Sequence, residues 1–394
     1  MKPQLIACRA LSVCAVVFVT MALGAQLSIT MPVEPVYKGR TLSSWLNDLS
    51  ITPAGPRYGE AAKAIRQMGT NALPGLLLRI EAGTTATNDQ PNLAVNAIRE
   101  LGEVARPAVP RLSELVHKEQ SAPYAAAALV ILRSEAPVID ALTNRSRMIQ
   151  RGALIALAED TVGETAVTPL ISLLTDSDSE MRHLAAWALG RIHKGDAIAV
   201  PALTGALMDD VAWVRKNALE AICEFKMPTK VQVAVLLKVL ADPDAFVRQA
   251  AISKLGDICR FYSDDDDRVV PALIGALEDR NDDVRCNVVR SLGTIMNGRL
   301  GGEHPRDRQS AKPLGEFESQ AKKLVPALIR SLSDANAGVR EQAAYALGEI
   351  GKVNEEQDAR IAAALAQAVE DKSERVRGRA ERALENCGLG AKSK

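Results

Sequence analysis

The sequence predicts an all-α protein: an α-solenoid of about nine or ten antiparallel helix pairs stacked as a right-handed superhelix. Three observations point there. Six aspartates are each followed six residues later by an arginine: Asp176/Arg182, Asp209/Arg215, Asp242/Arg248, Asp279/Arg285, Asp334/Arg340 and Asp371/Arg377. Successive arginines are 33, 33, 37, 55 and 37 residues apart, a period typical of stacked helix pairs and foreign to a single globular core. Each pair also stands between two apolar stretches of helical spacing. At 394 residues the length alone suggests two or three domains, but the repeat overrides that prior.

The unit is clearest at Leu324–Gly351. Leu324, Val325, Ala327, Leu328, Ile329 and Leu332 mark a first helix, with Pro326 expected near its start, where a missing N–H is tolerated. Asp334 to Gly338 is a polar break of turn formers. Val339, Arg340, Ala343, Ala344, Ala346, Leu347 and Ile350 give the second helix one apolar face with Arg340 at its edge. Elsewhere Pro169, Pro201 and Pro271 take the place of Pro326. Gly190, Gly256, Gly293 and Gly348 fall eight residues after their arginines. Glycine there weakens a helix but lets a neighbour approach closely.

The motif Pro-Ala-Leu, then Asp, then Val-Arg, then Ala-Leu-Gly-x-Ile resembles the HEAT repeat family, particularly the short HEAT-like repeats also found in phycobilin lyases. The resemblance is strong over 164–388. It implies that the Asp/Arg ladder is structural, each aspartate accepting from turn amides and from an arginine of its own or the next repeat. Arginine suits such forks.

Taken in order, residues 1–30 read as a signal peptide or N-terminal membrane anchor. Lys2 and Arg9 precede an apolar run from Leu11 to Gly24, with small residues at Ala22, Gly24 and Ala25. The run is short for a span of about 20 residues, though extension through Ile29 would make an anchor. Residues 31–40 carry two prolines and read as a linker. Tyr37 to Leu46 resembles the entry segment of exported bacterial HEAT-like proteins. Residues 41–163 hold divergent repeats, 164–295 regular ones, 296–322 a flexible insertion, 323–388 further regular repeats, and 389–394 a tail. The insertion accounts for the 55-residue gap; loops this long are functional or disordered.

Composition narrows the function. Aromatics are only 3 % of the chain, so no aromatic-rich pocket is implied. Without Lys2 and Arg9 there remain 46 basic residues against 48 acidic. Nucleic-acid binders show a basic excess, so nucleic acid is not an expected partner. Cys223, Cys259, Cys286 and Cys387 have no CxxC spacing and sit at different heights in their repeats, so free thiols are expected. The four histidines His117, His183, His193 and His304 form no HExxH. HEAT-like deoxyhypusine hydroxylases carry repeated His-Glu steps that hold iron. This chain has none, and Glu303-His304 is the reverse. No metal, no cofactor and no catalytic residues are therefore assigned. Asp264 to Asp267 lacks the glycine and alternation of a calcium loop and reads as a solvated turn.

The remaining expectation is a binding face. Positions one, five and nine after each arginine form a stripe away from the core, on the side that a HEAT superhelix keeps concave. Its candidates are His183, Trp187, Arg191, Lys216, Glu220, Gln249, Arg290, Glu341, Tyr345, Glu349 and Arg382. Trp187 and Tyr345 stand out because interface anchors are often Trp, Tyr and Arg, although each would also serve to cover a neighbouring repeat. The expected protein is a monomeric, non-catalytic protein-binding scaffold, exported to the periplasm or cell envelope of a bacterium. It meets the membrane only through its N-terminal segment. The rival expectation is an enzyme or enzyme accessory related to phycobilin lyases or HEAT-type oxidoreductases.

Overall fold

The computed structural model describes residues 34–49, 55–83, 90–159, 163–192, 195–261, 267–299, 314–351 and 355–387. The leader, Asp264 to Asp266, His193, His304, most of the insertion and the tail lie outside them. Among the described residues the fold is an α-solenoid of ten helix pairs, and the chain divides into two compact units at Ala108/Val109.

The first unit begins with structure where a linker was expected. Val36–Tyr37 (β1) and Arg40–Thr41 (β2) pair antiparallel, Val36 opposite Thr41 and Tyr37 opposite Arg40. Lys38 and Gly39 join them at φ 49° and 74°, the positive values a two-residue hairpin turn needs. Thr41 then caps α1, Leu42–Asp48, by accepting from the Ser44 amide. Glu34 fastens the segment, taking the Ser43 hydroxyl and a 2.5 Å bond from Arg79. Partial burial opposes ionisation of Glu34, but the Ser43 and Arg79 hydrogen bonds win and hold its pKa at about 2. The unit continues with α2 (Pro56–Met68), α3 (Leu73–Ala82) and α4 (Gln90–Leu101). Leu42, Leu46, Ile65, Leu76, Ile80 and Ile98 are fully buried in it.

The second unit is built of helix pairs, the first helix being the shorter in every pair but the last two, where it is the longer. Its pairs are α5 (Val109–Leu115) and α6 (Ala122–Ile131), α7 (Ala136–Ala141) and α8 (Arg147–Glu159), and α9 (Val167–Leu173) and α10 (Ser179–Ile192). Next come α11 (Asp196–Ala206) and α12 (Ala212–Glu224), α13 (Thr229–Val239) and α14 (Ala245–Phe261), and α15 (Val269–Gly275) and α16 (Asp282–Arg299). The last are α17 (Leu314–Ser331) and α18 (Ala337–Gly351), then α19 (Glu355–Ala368) and α20 (Glu374–Asn386). Each second helix from α6 to α18 packs on the second helix of the following pair. Among the described residues no helix is long and apolar enough to cross a membrane.

The glycines of the frame make that stacking close. A Cβ on Gly190 would lie 2.8 Å from the Ala221 backbone, and one on Gly348 would lie 2.6 Å from Ala383 Cβ. Gly256 and Gly293 face Ser291 and Ala346 at 3.0 Å. The core between helices is correspondingly thin, filled by Ala, Leu, Val and Ile.

The expected insertion 296–322 is shorter than its sequence limits. Helix α16 runs on to Arg299, and α17 starts at Leu314. Leu314, Phe317, Ala321 and Leu324 have helical spacing and continue into the repeat. This places Pro326 inside α17 rather than near its start, where it forgoes one backbone hydrogen bond.

Candidate protein-binding face

The ladder fixes the height of each second helix. Arg182 donates through Nη1 to the Asp176 carbonyl at 2.9 Å and forks onto the Asp209 carboxylate through Nε and Nη2 at 2.7 and 3.0 Å. Arg215 holds Asp242 (2.7 and 2.7 Å) and Arg248 holds Asp279 (2.7 and 2.7 Å) in the same way. Arg285 grips Asp334 and Arg340 grips Asp371, each at 2.7 and 2.9 Å. Each of these five arginines therefore reaches the next repeat. The aspartates in turn accept the amide two residues on, as Asp334 does from Asn336 at 2.8 Å. Hydrogen bonds from Arg285 and Arg340 hold the Asp334 and Asp371 carboxyls below the usual range despite partial burial.

Both ends of the ladder are irregular. Gln150 stands in the arginine's place on α8 and donates to the Leu142 carbonyl at 2.9 Å, while Arg147 supplies the charge that meets Asp176 at 2.7 Å. Asn144 takes the aspartate's place and accepts the Ser146 amide at 2.9 Å. At the other end Arg377 donates to the carbonyls of Asp371 (2.9 Å) and Lys372 (3.3 Å), and its fork meets no partner among the described residues.

The stripe of candidates divides into three parts. On α10, His183 is half-buried with Nδ1 3.3 Å from the Ser179 carbonyl, while Trp187 and Arg191 are exposed. Lys216, Glu220, Gln249 and Arg290 come together on α12, α14 and α16, where they line one open groove of about 430 Å³. Its floor is stitched by Asn287, whose amide donates to the Gln249 carbonyl at 2.9 Å and to Ser253 Oγ at 3.0 Å. Lys216 pairs with Glu220 at 2.7 Å. On α18, Glu341 and Tyr345 are engaged by α20. Arg375 and Arg379 approach Glu341 at 3.2 and 3.6 Å, and the Arg379 guanidinium lies 5.2 Å from the Tyr345 ring centre. Glu349 is half-buried on α18, and Arg382 is exposed on α20.

Two aromatic residues lie outside that stripe: Phe246 lines the groove and Trp213 packs on Phe246. Trp213 and Phe246 sit two residues before Arg215 and Arg248, at the starts of α12 and α14. Their ring centres are 4.8 Å apart with planes inclined at 58°, within the range of a favourable aromatic pair. They remain 56 % and 40 % exposed. The Lys216 ammonium lies 5.7 and 5.2 Å from the two rings. The stripe begins one residue after each arginine and so does not include them. The signal was there in a chain with 3 Trp and 5 Phe.

Thiol chemistry has little support in these surroundings. Cys223, Cys259, Cys286 and Cys387 are in no disulfide among the described residues, and burial pushes the Cys223 thiol up to about 12, leaving it protonated and a poor nucleophile. Burial also raises Cys286, the thiol in the groove.

A stack of helix pairs registered by an Asp–Arg ladder, presenting a grooved second-helix face, defines a helical-repeat scaffold. A HEAT repeat profile matches residues 135–223, 208–293, 233–310 and 303–385, and the chain belongs to the HEAT repeat family. No curated protein matches the chain. Among solved structures it is similar to Kap95p, in a structure describing its effect on the switch loops of RanGDP, with TM-score 0.56 and 13 % identity over 88 % of this chain and 56 % of that one. An engineered protein from a structural genomics consortium matches at TM-score 0.42 and 21 % identity over 89 % of this chain and 99 % of that one.

Proposed function

We propose that this protein is a non-catalytic scaffold that binds a partner protein across its second-helix face, centred on the groove over α12, α14 and α16. The carrying observation is the Trp213–Phe246 pair, which leaves a large aromatic surface in water at the edge of a groove. Rigid aromatic side chains at the rim of a depression are the usual anchors of an interface. The groove lining itself is mixed in charge, with Lys216, Lys254 and Arg290 beside Glu220, Asp257 and Asp283, which favours orientation of a polypeptide over capture of a single small ion. Membership in a family whose fold commonly mediates protein interactions supports the same reading. The partner is met in the periplasm or envelope of a bacterium, with residues 1–30 as the export signal or anchor. The protein acts as a monomer.

The test is affinity capture from the native envelope fraction with the wild type, Trp213→Ala/Phe246→Ala and Trp187→Ala. The groove reading expects one stoichiometric partner, lost from the first variant and retained by the second. Equal recovery by all three proteins contradicts it.

A further inference from the structure

Three of the four arginines of α20, Arg375, Arg379 and Arg382, follow helical spacing, so they share the second-helix face at its C-terminal end. Among the described residues one carboxylate answers them, Glu341 of α18, and it does so poorly. Its contacts to Arg375 and Arg379 are 3.2 and 3.6 Å, against 2.7 Å for the forks of the ladder. Ordinary charge-assisted bonds measure about 2.7–2.9 Å, so one carboxylate is stretched between two guanidinium groups. Arg382 spends its Nε on the Gly378 carbonyl at 3.1 Å and is otherwise exposed. Arg375 is 82 % exposed.

A second observation marks the same place. Among the described residues, the buried side-chain nitrogen or oxygen atom left without a hydrogen-bond partner is Arg379 Nε. Arg379 occupies the position held by Asn217 and Asn287 on α12 and α16, two residues after the ladder arginine. Those asparagines donate to the preceding second helix, at the His183 and Gln249 carbonyls. Arg379 lies over the Tyr345 ring instead, and its Nε finds no oxygen. A buried donor without an acceptor is rare, and it leaves the Arg379 guanidinium, whose side chain is 32 % exposed, short of hydrogen bonds. Tyr345, 42 % exposed, adds a ring and a hydroxyl beside it.

We infer that Arg375, Arg379 and Arg382, with Tyr345, bind an acidic polypeptide segment, one carboxylate completing the set that Glu341 half fills and neighbouring ones meeting the exposed arginines. This deepens the scaffold reading and rests on it: the acidic segment belongs to the partner that lies in the groove. A second copy of this chain stacked end-on does not suit the site. The position eight residues after the ladder arginine, glycine in α10, α14, α16 and α18, is Glu385 in α20. That side chain bars the close approach the glycines allow.

The experiment measures anisotropy of fluorescently labelled hexaglutamate titrated with the full chain. Saturable binding that weakens with salt, drops at least ten-fold in Arg375→Ala/Arg382→Ala and is unchanged in Arg330→Ala is the expected result. Arg330 is an exposed arginine on the first helix α17 and controls for general charge. The two replaced side chains are exposed, and an unchanged thermal melt verifies folding. An absence of binding to the wild type, equal loss in Arg330→Ala, or displacement by inorganic phosphate at the peptide's own concentration overturns the inference. Trp213→Ala/Phe246→Ala separates the two readings. If hexaglutamate binds and this variant keeps the captured partner, the groove falls and the acid site stands. If hexaglutamate fails and the variant loses the partner, the reverse holds.

Discussion

Arg340 is 4 % exposed and makes hydrogen bonds to two repeats at once, to the Asp334 and Ala335 carbonyls and to the Asp371 carboxylate. Its loss would strand a desolvated carboxylate, so Arg340→Ala is expected to cost about 3 kcal/mol. Arg377, which lacks the forward fork, holds only carbonyls, and Arg377→Ala should cost about 1 kcal/mol. Urea unfolding of the two variants checks the order; equal losses would mean that the fork adds nothing. The pH dependence follows from the same groups. Asp334 and Asp371 have depressed folded-state pKa values, so their contribution is complete above the unfolded value of about 3.9 and is lost as pH falls through the folded value. The melting temperature should show no ladder-dependent change between pH 7 and 5. Below pH 4 it should fall, and Asp334→Asn should fall less steeply because one rung no longer titrates. This scale was also the most legible in sequence, because Asp334 and Arg340 recur at a fixed interval. The rung at α8 was not legible, because Gln150 and Arg147 divide between two positions what one arginine does elsewhere.

At the scale of the element, glycine decides how closely second helices stack. Two effects oppose one another at Gly348. Alanine would raise helix propensity by about 1 kcal/mol, but its Cβ would meet Ala383 at 2.6 Å, and overpacking costs about 1–3 kcal/mol. Backbone atoms lie within 2.9 Å as well, so relief requires movement of a whole helix, and Gly348→Ala should destabilise by about 1–2 kcal/mol. Gly275 has open space where its Cβ would be, so Gly275→Ala should be neutral or stabilising. Thermal melts of the pair decide it, and a stabilised Gly348→Ala would refute the packing argument. The pattern of apolar residues made most helices readable, yet their limits were less so. The Lys38-Gly39 turn was hidden in a segment with two prolines and no helical period. The first turns of α17 were hidden in the surplus length of one repeat, although Leu314, Phe317 and Ala321 already carry its spacing.

At the scale of the molecule, a regular frame carries an irregular surface. The ladder and the glycines recur because each repeat solves the same stacking problem, which is why the fold could be read from one sequence. Binding residues are whatever varies around that frame, so they leave no period. Helical spacing alone sufficed to gather Lys216, Glu220, Gln249 and Arg290, since i, i+4 positions on stacked helices share a side. It did not single out Trp213 and Phe246, which lie in different repeats and meet only once α12 and α14 pack. Nor did it separate Tyr345, engaged by Arg379, from Trp187, which stays 39 % exposed.

The most direct measurement is site-specific photo-crosslinking in the native cell. A benzophenone side chain placed at Ser253, exposed in the groove, is compared with one at Lys230, exposed on the first helix α13. The account predicts a discrete protein adduct from position 253 alone, abolished by Trp213→Ala/Phe246→Ala. Adducts of equal yield from both positions, or a 253 adduct indifferent to the aromatic pair, would contradict it.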